Sequence, residues 1–260
     1  MLPANALILI CPYCKGEKPV LQLMSGNTIG GTLWSDLKTE YPMFPRPSVI
    51  QKCPHCGKYY FASNVETKEG DDYSGDLGEL TYEQIKEALT QFDKDWLSAD
   101  DEIELRLLFV HIYNDTFQRE QVSVKETPTS EDRNLLEKQV LRLLQIWKTE
   151  PLVKAELYRE IGDFSQCTQI LDSTNENDSF RKNIASKVRM LAENQETYAF
   201  VIENELKLYI NMKKLFFILI AAMMAAMGYA GTPEVYIEAE QLPHLLYIMP
   251  APPNERIQLK

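Results

Sequence analysis

Two Cys-x-x-Cys pairs are the residues of this chain whose types and spacing most directly predict chemistry. The first is Cys11-Pro12-Tyr13-Cys14, and the second is Cys53-Pro54-His55-Cys56, which is followed by Gly57. Pro and Gly favour tight turns, which can direct two sulfur atoms and several backbone N–H groups at one ion. Four thiolates at this spacing are the donor set of a structural, tetrahedral zinc site. We therefore expect Cys11, Cys14, Cys53 and Cys56 to bind one structural Zn²⁺.

The composition of the chain limits its possible partners. The 260 residues carry 27 Lys and Arg against 38 Asp and Glu, a net charge of −11. Phosphate binding needs clustered cations, so nucleic acid is not the expected partner. A nucleic-acid-binding zinc ribbon stays an alternative, because four lysines lie close to the cysteine pairs. They are Lys15, Lys18, Lys52 and Lys58.

The number and position of the cysteines favour a reducing compartment. The chain has five cysteines, four of them in the two pairs, and no signal peptide stands at residue 1. Disulfide scaffolds are typical of short, cysteine-rich secreted chains. We therefore expect residues 1–211 to be cytoplasmic, with a disulfide framework as the alternative. Cys167 is expected to be a small buried apolar residue.

The first 68 residues are predicted to form a small β zinc ribbon. Strands are expected at residues 6–10, 18–24 and 58–62. The interval between Cys14 and Cys53 is longer than a ribbon usually has, and it contains three aromatic residues among several prolines. Trp34, Tyr41 and Phe44 are candidates for a partner-binding surface, since binding residues concentrate on such loops. The alternative is that they only cover the small core of the ribbon.

The rest of the charged region predicts a helical domain. Residues 69–79 are acidic, contain Gly and predict a linker between the ribbon and a domain at residues 80–211. Thr81 and Ser98 are expected to cap the first two helices. Further helices are expected at about 131–149, 151–161, 164–171 and 179–194, and a last helical segment ends near residue 210. The predicted fold class is therefore α+β, mostly α, with the β ribbon followed by an antiparallel helical body.

Residues 1–211 resemble an uncharacterised family of bacterial proteins. In that family a four-cysteine zinc-binding segment precedes a tetratricopeptide-like helical region. The resemblance rests on the four paired cysteines and on residues 155–171, a helix–turn–helix pattern similar to one tetratricopeptide unit. Cys167 stands where that repeat usually has Ala. Because the family has no established reaction, the resemblance implies an architecture and no mechanism.

The sequence changes character at Met212. Met212-Lys213-Lys214 precede an uncharged run at residues 215–230 that ends in Gly228-Tyr229-Ala230. This order of basic, apolar and small residues is that of a secretory signal peptide, and the run is shorter than the roughly 20 residues of a membrane span. Three interpretations stay open: a fused reading frame, a membrane anchor with the body in the cytoplasm, and a buried core helix. Residues 231–260 are expected to form a disordered tail.

The tail also resembles a second family. The signal-like run and residues 242–253 are similar to the precursor N-terminus of secreted class A nonspecific acid phosphatases. Those enzymes hold phosphate with Lys, Arg and His segments, and none of these segments follows the run here. The resemblance therefore implies no phosphatase activity and favours the fused reading frame.

Taken as a whole, the sequence predicts a zinc-stabilised protein-interaction module with no catalytic activity of its own. An enzyme would have to use His55 or the pair Glu156 and Glu160, but a catalytic zinc keeps an open ligand position, and four cysteines leave none. Glu156 and Glu160 are expected on a solvated helix face, and His111 is expected to be a packed core residue. A membrane-anchored adaptor that binds the membrane through residues 215–230 is a further alternative.

Overall fold

The computed structural model describes residues 2–93, 97–120, 126–174, 176 and 178–202. All of them belong to one compact unit, Met1–Glu205. The predicted signal-like or membrane segment at residues 212–230 and the predicted tail at 231–260 lie outside the described residues. In the part that is described, short antiparallel strands come first and six α-helices follow. The strands are β1 (Leu2–Pro3), β2 (Leu7–Ile10), β3 (Glu17–Val20), β4 (Leu23–Ser25), β5 (Thr32–Leu33), β6 (Thr39–Glu40), β7 (Ile50–Lys52), β8 (Tyr59–Phe61) and β9 (Thr67–Glu69).

The ribbon is built from two hairpins of matching design. Strands β2 and β3 pair so that Ile10 lies opposite Glu17, and β7 and β8 pair so that Lys52 lies opposite Tyr59. Each hairpin therefore closes through a six-residue turn that contains one Cys-x-x-Cys pair. Strand β9 adds to the other edge of β2, which gives a three-stranded sheet in the order β3-β2-β9.

The stretch predicted as a linker is bonded to the ribbon along its length. Gly70 N donates to Ala6 O at 2.8 Å, Leu21 N donates to Asp76 O at 2.9 Å, and Ser48 N donates to Leu77 O at 2.7 Å. These bonds join backbone groups that are far apart in the sequence, and the composition of the segment alone cannot predict which groups form hydrogen bonds with each other. The predicted boundaries at residues 68 and 79 stay predictions.

The helices begin where cap residues predict them. They are α1 (Tyr82–Phe92), α2 (Ala99–Tyr113), α3 (Ser130–Ile146), α4 (Pro151–Glu160), α5 (Phe164–Ser173) and α6 (Ser179–Glu193). The Thr81 side chain accepts from Gln84 N, and the Ser98 side chain accepts from Asp101 N, so both predicted caps are confirmed. Gly162 has φ +83° in the turn between α4 and α5, a conformation that glycine adopts without strain.

One core joins the ribbon to the helices. Ile50, Tyr59 and Phe61 of the β7–β8 hairpin pack with buried residues of α1, α2 and α3 and with Leu157 of α4. The Phe61 and Phe92 rings lie 5.1 Å apart. A second cluster lies among α4, α5, α6 and Phe200, and it includes the fully buried Cys167. The burial expected for Cys167 is confirmed.

The last described residues are extended, which corrects part of the predicted final helix. Ser35 N donates to Phe200 O at 2.8 Å, and Ile202 N donates to Leu33 O at 2.8 Å. On the other side Ala199 N donates to Gln118 O at 2.9 Å. These long-range bonds hold residues 199–202 between two other segments. The rest of that predicted helix lies outside the described residues.

Two further features bear on the sequence predictions. Helix α2 runs on into a π-helical turn, Asn114–Gln118, which no sequence signal predicted. Within the described ranges, no helix combines the length and apolar character that crossing a membrane requires. The predicted run at residues 215–230 lies outside these ranges.

Candidate metal centre and the buried polar network

The four paired cysteines meet at one point of the ribbon. Their sulfur atoms all lie within 4.8 Å of one another, and among the described residues they are the cluster of His, Cys, Asp or Glu that could hold a metal ion. Cys11 Sγ lies 3.7 Å from Cys56 Sγ, and Cys14 Sγ lies 3.6 Å from Cys53 Sγ. All four are free thiols, so these contacts are not disulfide bonds. The predicted convergence of the four cysteines is therefore confirmed.

The sulfur spacing fits a tetrahedral metal–thiolate site. Four sulfurs held about 2.3 Å from a central zinc ion are separated by about 3.8 Å. The two closest observed separations, 3.7 and 3.6 Å, are nearly that distance. Each hairpin supplies one buried and one exposed cysteine: Cys11 and Cys53 are buried, and Cys14 and Cys56 are exposed. An ion at this point would have four sulfur ligands and no open position for substrate or water.

The backbone of the two turns explains why the sulfurs converge. Cys11 N donates to Gly16 O at 2.9 Å, and Lys15 N donates to Cys11 O at 2.9 Å. Cys53 N and Gly57 N make the equivalent bonds to Lys58 O and Cys53 O, at 2.8 and 3.0 Å. The same turn is thus built twice, and each copy directs its two side chains to the same side.

The turns differ at the residue that follows the second cysteine. Lys15 has φ +60° and Gly57 has φ +73°, so both adopt the left-handed conformation. Glycine reaches this conformation without a steric cost, whereas lysine does not. The first turn therefore stores backbone strain that the second avoids.

His55 fastens one turn to the other. Its Nε2 lies 3.2 Å from Glu17 O, and its ring packs where a side chain on Gly16 would have to be. His55 is exposed, its imidazole is not part of the sulfur cluster, and its backbone N–H donates to Cys53 Sγ at 3.4 Å. The structure thus gives His55 a role in joining the hairpins.

The backbone and the packed thiols set the acidities of the cluster. Burial acts to raise the pKa of Cys53, but N–H groups of Cys56 and His55 outweigh it and lower that pKa to about 6. The Gly16 N–H acts to lower the pKa of Cys14, but burial and the three neighbouring thiols raise it to about 12. Metal ligation requires thiolates, so a bound cation would have to displace the proton that the raised pKa of Cys14 favours.

The three aromatic residues proposed for partner binding occupy different environments. Trp34 is only 6% exposed, and the Arg119 guanidinium lies 4.4 Å from the centre of its ring. Tyr41 packs on Gly31 and Phe44 packs on Gly26, each at a place where a Cβ atom would clash. Both are partly buried. The role of these three residues in binding a partner stays a prediction.

A buried polar network, which the sequence analysis missed, holds the ribbon insert against the helices. Asp36 is 2% exposed and forms an ion pair with Arg119 at 2.9 Å. Asn114, from the π-helical turn, donates to Asp36 Oδ2 at 2.9 Å and to Glu160 Oε2 at 3.1 Å. His111 Nε2 lies 2.9 Å from Asp36 O. An ionised carboxylate away from water needs such partners.

Burial and neighbouring charges shift the pKa values of the two carboxyl groups in this network in opposite directions. Burial, followed by the charges of Glu156 and Asp36, raises the pKa of Glu160 well above its usual range. Burial acts to raise the pKa of Asp36 too, but the charges of His111 and Arg119 hold it below its usual range. Of the two carboxyl groups that Asn114 joins, Glu160 is therefore the weaker acid and Asp36 the stronger one.

The two glutamates expected on a solvated face are buried, so that expectation was wrong. Glu156 and Glu160 are 3% and 1% exposed. Arg159 binds both oxygens of Glu156, at 2.8 and 2.6 Å, and donates to Glu196 O and Tyr198 O. These bonds fasten α4 to the segment that leads to residue 202. The helical spacing of Glu156 and Glu160 suggested an exposed face of α4, because spacing cannot show that another segment of the chain covers that face.

Comparison with known proteins returned no match: no family model, no curated protein and no solved structure matched the chain. The two family resemblances noted in the sequence therefore stay predictions. What the structure establishes is a cluster of four cysteines within metal-binding distance near the N-terminus, followed by a helical body.

Proposed function

We propose that the chain is a cytoplasmic, zinc-stabilised protein-interaction module with no catalytic activity of its own. The observation that carries the proposal is the closed set of four sulfurs, which can anchor a fold but offers no open position for chemistry. The ion is zinc in this proposal because an all-thiolate tetrahedral set is typical of structural zinc.

The distribution of exposed apolar side chains supports an interaction role. Of the nine large apolar side chains that are exposed in the described ranges, seven lie between residues 2 and 73. The most exposed are Ile29 at 80% and Met24 at 76%. They belong to the insert lobe, residues 23–44, in which Tyr41 and Phe44 pack on Gly31 and Gly26. Exposed apolar groups on one lobe favour a protein partner.

The helical body gives this proposal its second part. Helices α4 and α5 follow each other through the short turn at Gly162, and they pack closely together. We propose that this hairpin is the tetratricopeptide-like unit, with Cys167 in the tightly packed position. Single units of this kind bury an apolar face only by stacking on a neighbour, and α6 supplies that neighbour here.

The nucleic-acid alternative has less support. Two of the four lysines near the cysteines are occupied by carboxylates of this chain: Lys18 lies 3.6 Å from Asp76, and Lys52 lies 2.9 Å from Glu87. Binding phosphates would have to break these pairs in a chain of net charge −11. A filter-binding assay at several salt concentrations tests this directly, and tight, salt-dependent binding would favour the alternative.

The metal is tested by elemental analysis of the purified full chain. We expect one zinc per chain, and we expect Cys53→Ser to remove it. The matched control is Cys167→Ser, which changes a cysteine outside the cluster and should leave the zinc content at one. Less than half a zinc per chain, or a Cys53→Ser protein that keeps its metal, would contradict the proposal.

The interaction role needs a separate experiment. The combined variant Met24→Ser, Ile29→Ser removes the two most exposed apolar side chains of the insert lobe, and Leu141→Ser removes an exposed one from α3. Cross-linked complexes from the source cells should lose a partner with the lobe variant and retain it with Leu141→Ser. If the unchanged chain, the lobe variant and Leu141→Ser all retain the same partners, this would argue against a binding role for the lobe.

A further inference from the structure

A small groove in the helical body lies between α6 and the extended segment 199–202. Its volume is about 130 Å³. A cavity of roughly 150 Å³ lined by apolar side chains can hold a benzene molecule. The groove therefore has room for one bulky apolar side chain. It is lined by Phe180, Asn183, Ile184, Lys187, Phe200, Val201 and Ile202.

The floor of the groove is held in place by backbone hydrogen bonds. Phe200 is 1% exposed, and its carbonyl accepts from Ser35 N at 2.8 Å. Ile202 N donates to Leu33 O at 2.8 Å, and Ala199 N donates to Gln118 O at 2.9 Å. Because these hydrogen bonds already fix the segment that forms the floor, the segment loses little conformational entropy when a ligand binds, and this favours affinity.

Among the described residues that line the groove, the charged one is Lys187. Lys187 Nζ lies 4.3 Å from the centre of the Phe200 ring, and none of the described residues that line the groove is acidic. The two arginines of α6 are matched within the chain: Arg181 forms an ion pair with Glu176 at 2.7 Å, and Arg189 forms one with Asp172 at 2.7 Å. Lys187 has no carboxylate partner among the residues that the structure describes. Because Lys187 lines the groove, it is the cation there that an incoming carboxylate can complement.

We propose that this groove binds a peptide that inserts one bulky apolar side chain, Phe or Leu, and places a neighbouring carboxylate against Lys187. The side chain would lie against Ile184 and Ile202, above the buried Phe200, and the carboxylate would lie at the exposed side of the groove beside Asn183. The inference names a partner class for the interaction role and therefore rests on the proposed function. It places this contact on the helical body, apart from the insert lobe.

The test starts from a displayed library of random heptapeptides selected against the full chain. We expect enrichment of sequences with Phe or Leu next to Asp or Glu. A synthetic peptide of the enriched sequence is then titrated by fluorescence anisotropy. Replacing its apolar residue by Ala should abolish binding, and replacing its acidic residue by the amide should weaken binding about tenfold. No enrichment of this pattern would overturn the inference.

Protein variants locate the contact. Lys187→Ala should weaken binding about tenfold and reduce its salt dependence, whereas Lys182→Ala, an exposed lysine on the same helix outside the groove, should change it less than twofold. Asn183→Trp places a large side chain at the edge of the groove and should block binding. Thermal melts of each variant check that the fold is kept, and Lys187→Ala decides the outcome if Asn183→Trp does not fold.

The outcomes separate this inference from the proposed function. Equal loss with Lys182→Ala and Lys187→Ala would show general attraction to a basic helix and would overturn the groove assignment. Loss of peptide binding only in the Met24→Ser, Ile29→Ser variant would leave the interaction role intact and would also overturn the groove. Loss confined to Lys187→Ala and Asn183→Trp supports the inference, whatever the insert lobe binds.

Discussion

Removing the proposed zinc ion should unfold the helices, although none of the helices that the structure describes supplies a cysteine to the cluster. The perturbation is Cys53→Ser or treatment of the full chain with a strong chelator. Structural zinc contributes on the order of 10 kcal/mol to small folds, which is comparable with the ~5–15 kcal/mol stability of a whole domain. The question is how much of that loss reaches the helical body.

The shared core gives the size of the coupling. Ile50, Tyr59 and Phe61 of the second hairpin are 0%, 3% and 4% exposed, and they pack against α1 and its neighbours. Burial of three such side chains is worth roughly 5–9 kcal/mol as an upper bound. Tyr59 also donates its N–H to Gln91 Oε1 at 3.0 Å and its hydroxyl to Glu87 Oε2 at 2.6 Å. If the ribbon unfolds when it loses its metal, the helices lose these contacts.

The assay is urea unfolding followed by far-ultraviolet circular dichroism, which reports the helices. We expect the midpoint to fall steeply when the zinc is removed. Chelator added to Cys53→Ser, which already lacks the metal, is the matched control and should change nothing. A helical transition that keeps its midpoint without zinc would refute the reasoning, and it would show that ribbon and body fold independently.

Three further predictions follow from single sites. Lys15→Gly should stabilise the zinc-bound protein by about 1 kcal/mol in urea unfolding, because it removes the left-handed strain at φ +60°, and a loss of stability would contradict this. Leu157→Ala should cost about 2–5 kcal/mol, because Leu157 is 2% exposed, while Leu141→Ala, at 38% exposure, should cost no more than about 0.5 kcal/mol. Glu160→Gln should flatten the pH dependence of stability. Because the pKa of Glu160 is raised in the folded protein, this residue contributes its full stabilisation below about pH 4.3. That stabilisation is lost as the pH rises toward the pKa of Glu160 in the folded protein, at up to about 1.4 kcal/mol per pH unit. Parallel stability–pH curves for the two proteins would contradict the assignment.

Local signals in the sequence predicted several parts of the structure. The cysteine spacing predicted the sulfur cluster, because each pair lies within one tight turn and needs only its own hairpin to be formed. Thr81 and Ser98 predicted helix starts for the same reason, since a cap bonds to residues only three positions ahead. The burial of Cys167 followed from helical periodicity.

Features that join distant residues could not be predicted in this way. Asp36 and Arg119 are 83 positions apart, and both would be expected on the surface by residue type. The stretch near residue 200 has a helical pattern, yet its backbone bonds to residues 33–35 and 118–120 outweigh that preference.

What the sequence by itself determined is therefore the chemistry of short intervals: the four thiols and the helix caps. Only the tertiary structure decided which polar groups are buried and where a groove opens. Asn114 reaches both Asp36 and Glu160 because a π-helical turn lies between the ribbon insert and α4. Lys187 lies over Phe200 because an extended segment returns across α6. The free energy of a buried charge depends on the partners that surround it, and those partners come from parts of the chain that meet only in the folded protein.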